Sequence, residues 1–261
     1  MRKLQTLASL TVLIAFFTVS LHAKAEVLFD GYYKVTQFKK HIGFLVLKHE
    51  IDDKTKEFKT ISYIKLSKGG FDMTETYQAV SDGTFLPLRL SYIATQGKKT
   101  KTVVAEFKNQ KMTGTVTEDG KKIKLNDSFP KGAFFSSALY YLMLQSKEGL
   151  KTGTNFDYVG ITEEGPVSIK GTVQVDKKMV TRGTSQLMKV TNSFAGSDYD
   201  NLVNGRGEVM SAVTPATSIE SELVKNPEEA MGGIQMTKGT LEKIFGQVPQ
   251  GKTNSLFTKG N

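Results

Sequence analysis

Enzyme chemistry needs a reactive side chain and neighbours that tune it, and candidates are few in this sequence. Cysteine is absent, so thiol chemistry, disulfides and thiol-linked lipid are excluded. Of three histidines, His22 lies in an apolar leader, which leaves His41 and His49. They fall on what reads as a turn and the strand after it. Their shared parity would put them on one side of that strand, yet a rise of about 3.3 Å per residue sets them roughly 26 Å apart, too far to share a metal. A serine hydrolase would need His41 beside a serine and an acid. No Gly-x-Ser-x-Gly elbow occurs, and Ser136 and Ser137 sit in an apolar stretch where they read as packing residues. The pairs Glu163 with Glu164 and Asp198 with Asp200 could do acid–base work on a sugar. Glu163-Glu164 before Gly165, however, reads as a solvated turn, and Asp198-Tyr199-Asp200-Asn201 lacks the spacing of a calcium loop. There is no phosphate loop, dinucleotide fingerprint or Cys/His zinc set. The residues therefore assign no catalytic group, cofactor or metal.

The elements that must position any site begin after a leader. Arg2 and Lys3 precede an apolar run from Leu7 to Leu21, and Ala23-Lys24-Ala25 has the small-x-small pattern of a cleavage site. The run is interrupted by Thr11, Thr18 and Ser20 and is shorter than the about 20 residues of a membrane span. Residues 1–25 are therefore expected to be a signal peptide cleaved after Ala25, which predicts a periplasmic location and no transmembrane span in the mature chain. The full chain of 261 residues carries a net charge of +9, with 39% hydrophobic and 10% aromatic residues. Such a chain can fill a core, and disorder is excluded. Export makes nucleic acid an unexpected partner for its basic loops.

From Glu26 to Val224 short β-branched and aromatic runs alternate with Gly, Asp, Asn and Lys clusters, the cadence of antiparallel strands. Asp82-Gly83, Asp119-Gly120 and Asn204-Gly205 mark tight hairpins, and Pro87 predicts a strand that starts at an edge or bulge. Ala133 to Ser146 breaks the pattern with Phe134, Phe135, Leu139, Leu142 and Met143 at helical spacing. Asn226-Pro227-Glu228-Glu229 opens a second, short helix. The expected fold is mainly β: a large curved antiparallel sheet, half-barrel or sandwich, with one long buried helix at about 133–147 and a short C-terminal one. Residues 26–231 form a single domain, with a weaker division near 127–132, and residues 232–261 form a mobile tail.

The order of Tyr33, Gly43, the Gly83-x-x-x-Pro87-x-Arg89 strand, Glu106-Phe107 and the run Phe135-Ser136-Ser137-Ala138-Leu139-Tyr140-Tyr141-Leu142 resembles a family of uncharacterised periplasmic β-rich proteins of Gram-negative bacteria. The resemblance covers most of residues 27 to 213. It implies a curved antiparallel sheet wrapped on a helix and supplies no activity to carry over. One departure is the absence of tryptophan, since the family usually has a Trp-bearing strand.

Three functions compete. The first is a non-catalytic interaction or structural protein of the cell envelope, touching an envelope protein or an anionic surface through Lys98, Lys99, Lys101, Lys121 and Lys122. The second is a carrier for a lipid-like apolar ligand, held by Phe134, Phe135, Leu139, Leu142 and Met143. The third is a hydrolase built on His41.

Overall fold

The computed structural model describes residues 25–257; the expected leader, up to residue 24, lies outside them. Fifteen strands form one curved, unclosed sheet. They are β1 (Ala25–Gln37), β2 (Lys40–Asp52), β3 (Phe58–Leu66), β4 (Met73–Ser81), β5 (Pro87–Gln96), β6 (Lys99–Lys108), β7 (Lys111–Glu118), β8 (Lys121–Ser128), β9 (Phe134–Phe135), β10 (Asn155–Ile161), β11 (Ser168–Arg182), β12 (Ser185–Phe194), β13 (Ser197–Val203), β14 (Val209–Thr214) and β15 (Ile219–Val224). The spatial order is 8-7-6-5-4-3-2-1-15-14-13-12-11-10-9. Every neighbouring pair is antiparallel except β9 with β10, where Phe134 and Phe135 run parallel to Gly160 and Ile161. Two meanders thus share a seam, at which Tyr32 of β1 faces Val224 of β15. A single connection, residues 129–133, carries the chain from one edge of the sheet to the other. The sheet curls far enough for β9 to touch β4 across the interior.

The hairpin signals hold. Asp82 Oδ1 accepts hydrogen bonds from the backbone N–H groups of Thr84 and Leu86, and Asn204 Oδ1 from those of Arg206 and Glu208. Pro87 starts β5 opposite a register shift between Val80 and Ser81, as its missing N–H requires.

The long helix does not form. Phe134 and Phe135 are strand, Ser136–Ala138 is a 3₁₀ turn, and α1 spans Leu139–Gln145. The helical period is real, but the start of the run is captured by the sheet, because β10 offers an unpaired edge. Glu163 then takes the Ser137 N–H at 2.9 Å, holding the turn where the helix would otherwise begin. Seven residues do not hold a helix unaided. Burial of Leu139 and Met143 in the largest core cluster keeps it in place.

The short helix at Asn226 is present as α2 (Pro227–Met231) and ends at Gly232 in the left-handed region. It packs with α3 (Thr240–Phe245) on the convex face of β1–β3, where Ala230, Ile234, Leu241 and Phe245 cover Tyr32, Phe44, Val46, Ile61 and Tyr63. The segment beyond α3 is tied down by Asp30. Its carboxylate accepts N–H hydrogen bonds from Gln250, Gly251 and Thr253 at 2.7–3.0 Å and the Thr253 hydroxyl. β1–β3 are therefore buried on both faces, which accounts for a buried ion pair, Lys48 Nζ to Glu50 at 2.5 Å, on the covered side.

Candidate functional site

The concave face encloses a cavity of about 330 Å³. Because side chains alternate along a strand, each strand sends every second residue inward: Phe29 and Tyr33 from β1, Leu47 and His49 from β2, Glu75 and Tyr77 from β4. Leu139, Tyr140 and Tyr141 of α1 and the adjoining Ser136 and Ser137 line another wall. The loop after β10 brings Thr162, Glu163 and Glu164, and the β12–β13 side brings Asn192, Phe194, Tyr199 and Asn201.

His49 shows how aromatic this interior is. Its ring stacks on Phe58 at 5.6 Å and meets Phe29 at 5.9 Å and Tyr141 at 4.9 Å. Nδ1 lies 3.0 Å from Thr60 Oγ1. Burial among rings disfavours the charged form and pushes its pKa from 6.5 down to about 3, so the imidazole is neutral. Burial likewise pushes the hydroxyls of Tyr33, Tyr77, Tyr140 and Tyr141 well above 10, so all remain protonated donors. The Tyr140 hydroxyl is buried without a hydrogen-bond partner among the described residues.

Glu163 is buried, at 8% exposure. Ser136 Oγ donates to it at 2.7 Å, and these bonds only offset the burial that raises its pKa. Burial also raises Glu75, assisted by the charges of Glu164 and Glu163; Tyr92 donates its hydroxyl to Glu75 at 3.1 Å. One end of the cavity is thus acidic and the rest aromatic. Among the described residues no group of three His, Asp or Glu side chains could hold a metal ion.

The residues expected to bind ligand are scattered. Leu139 lines the cavity; Phe134 and Leu142 face a separate hollow with Phe85 and Leu86. Phe135 packs edge-on against Phe107 at 5.2 Å, and Met143 is fully buried in the core. The lysines do converge. The β5–β6 and β7–β8 hairpin tips are neighbours, joined by Lys101 opposite Glu118 and by Thr100 N–H donating to Asp119 Oδ1 at 3.0 Å. Lys98, Lys99, Lys121 and Lys122 are exposed there, while Lys101 reaches toward Gly165 beside the acidic end.

Two expectations are corrected. His41 and His49 do not share a side: a bulge between Val35 and Thr36 breaks the register and turns His41 to the convex face. Its Nε2 lies 2.8 Å from the Gly43 carbonyl and 3.0 Å from that of Ala230, two acceptors, so this nitrogen carries the proton. Glu163 is no solvated turn residue but the buried floor of the site. Its burial, and the inward aim of Glu75 and Tyr77, gave no sequence signal because they depend on how strands half a chain apart curl together.

The sequence profile of a protein family of unknown function, DUF3108, matches residues 30–229. The chain belongs to the DUF3108 family. The matched span includes every cavity residue named here except Phe29, and ends within α2, before Ile234 and α3 on the convex face. No curated protein matches this DUF3108 chain. Among solved structures it is similar to a DUF1089 family protein from Pseudomonas aeruginosa, with 11% identity over 69% of this chain and 92% of that one and a TM-score of 0.38.

Proposed function

We propose that this DUF3108 chain is an exported, non-catalytic binding protein that holds a small, partly apolar molecule in its concave cavity. The observation that carries this reading is the cavity itself: about 330 Å³ walled by aromatic and aliphatic side chains, with a few convergent polar groups. The unpartnered Tyr140 hydroxyl supports it, since a buried donor without a partner costs about 1–3 kcal/mol unless something else accepts from it. The leader supports export to the periplasm. His41, on which a hydrolase would rest, lies on the other face and bonds two carbonyls.

Native mass spectrometry of protein purified from the periplasm, followed by organic extraction, tests the proposal. A stoichiometric added mass that extracts into solvent is expected. A bare mass together with failure to bind any apolar probe would overturn it. The envelope-interaction reading draws support from a different observation, the four exposed lysines on two adjoining hairpin tips. It requires salt-sensitive association that neutralising Lys98, Lys99, Lys121 and Lys122 removes.

A further inference from the structure

The charge lining the cavity has one sign. Glu75, Glu163, Glu164 and Glu208 border it and no lysine or arginine does, in a chain with 35 Lys and Arg against 26 Asp and Glu. Glu208 is already neutralised: Arg206 lies 3.1 Å from one oxygen, while Asn204 Nδ2 and the Ser255 N–H donate to the other at 2.8 and 3.1 Å. The remaining three differ. Among the described residues no ion pair reaches Glu75, Glu163 or Glu164. The hydrogen bonds that Glu75 and Glu163 receive come from neutral donors, the Tyr92 and Ser136 hydroxyls and the Ser137 N–H. Lys101 approaches their loop from outside the lining and offsets their mutual repulsion only in part.

Hydroxyl groups close to the acids add to this picture. Ser137 Oγ is buried beside Glu163 and Tyr77 without a hydrogen bond of normal geometry, and the Tyr140 hydroxyl in the same cavity has none. Ionised carboxylates are acceptors only, and burying Glu75 and Glu163 without a cation is costly, a cost that a bound cation relieves. An ammonium brings three donors and the missing charge. A carboxylate or phosphate head would bring a second negative charge into the same space.

We infer that the molecule held in the cavity is a cationic amphiphile, a protonated amine on an apolar body, with its ammonium among Glu75, Glu163 and Glu164 and its apolar part along Phe29, Leu47 and Leu139. This rests on the binding reading and narrows it: fatty acids and anionic lipids are excluded, and amines are selected.

Three probes of equal chain length separate the two ideas. Octylamine, octanol and octanoate are titrated calorimetrically into the mature protein at neutral pH. Octylamine is expected to bind about tenfold more tightly than octanol, the scale of one charge-assisted contact, and octanoate more weakly than either. Glu75→Gln and Glu164→Gln, each checked for an intact thermal transition, are expected to collapse the octylamine-to-octanol ratio toward one. Glu164 is exposed at the mouth, so its variant reads the charge even where the more buried Glu75 position disturbs folding. Octanoate binding as tightly as octylamine, or a ratio unchanged in both variants, would overturn the inference while leaving a binding cavity. Binding of none of the three would remove the binding reading itself.

Discussion

At His49 a single proton decides part of the protein's stability. The folded-state pKa, about 3, lies below the ordinary 6.5, so the stability gained by burying neutral imidazole is complete above 6.5 and is lost as pH falls toward 3. Between pH 7 and 5 that amounts to roughly 2 kcal/mol at about 1.4 kcal/mol per pH unit. Urea unfolding of His49→Gln, which keeps a partner for Thr60, is expected to show a flatter pH dependence across this window than the parent. An unchanged slope would place the acid sensitivity elsewhere. Residues of this kind were half legible. The alternation Leu45, Leu47, His49 marks one face of β2, but Phe44 and Val46 mark the other face just as strongly, because both are covered. Alternation shows which residues share a side and not which side encloses a cavity. Glu163 was illegible for a related reason: two adjacent acids before a glycine look solvated wherever they fold.

Among the elements, turns divide by chemistry. Asp119-Gly120 announced its hairpin, yet the β1–β2 hairpin turns through Phe38 and Lys39, both in the left-handed region at φ 47° and 63°. Phe38 is also 70% exposed, so packing returns little for the strain. Phe38→Asn is expected to raise stability by about 1 kcal/mol, read as a higher denaturant midpoint with an unchanged slope, because Asn tolerates positive φ. The sequence reading places a turn near His41, but neither Phe38 nor Lys39 carries the Asn, Asp or Gly chemistry that marks a left-handed turn. α1 was legible as an apolar helical run but not in its length, since the helix competes with an open sheet edge for Phe134 and Phe135. Val209, which lines the same cavity and packs against the same core cluster as Leu139, offers a direct test of the site. Val209→Phe adds ring volume to the cavity wall, and retained ligand, measured by native mass spectrometry, is expected to fall severalfold while the fold persists.

The molecule as a whole repeats this division between local and distant information. The meanders were legible because each strand pairs with its neighbour in sequence across a marked turn. The wrapping was not: the 129–133 connection spans the sheet, and no local pattern names β9 as the partner of β10 or β15 as the partner of β1. The C-terminal segment lacks strand and long-helix periodicity because its place is set by side chains on β1. Asp30→Ala removes the carboxylate on which Gln250, Gly251 and Thr253 converge. Limited proteolysis is expected to cut this variant within residues 246–254 and spare the parent, with stability lower by about 2–3 kcal/mol for the buried donors left unpaired.

The seam also puts the strands on a clock. β1 finds β2 as soon as a two-residue turn has been made, but its other flank waits for residues 219–224, the last strand of the sheet to be synthesised. Throughout that delay a bare strand edge bearing Tyr32, Tyr33 and Val35 stands at what will become the middle of the sheet, and another nascent copy's edge could dock there first. Yield on refolding should therefore fall steeply with protein concentration, and the first irreversible error should be a wrong neighbour for β1.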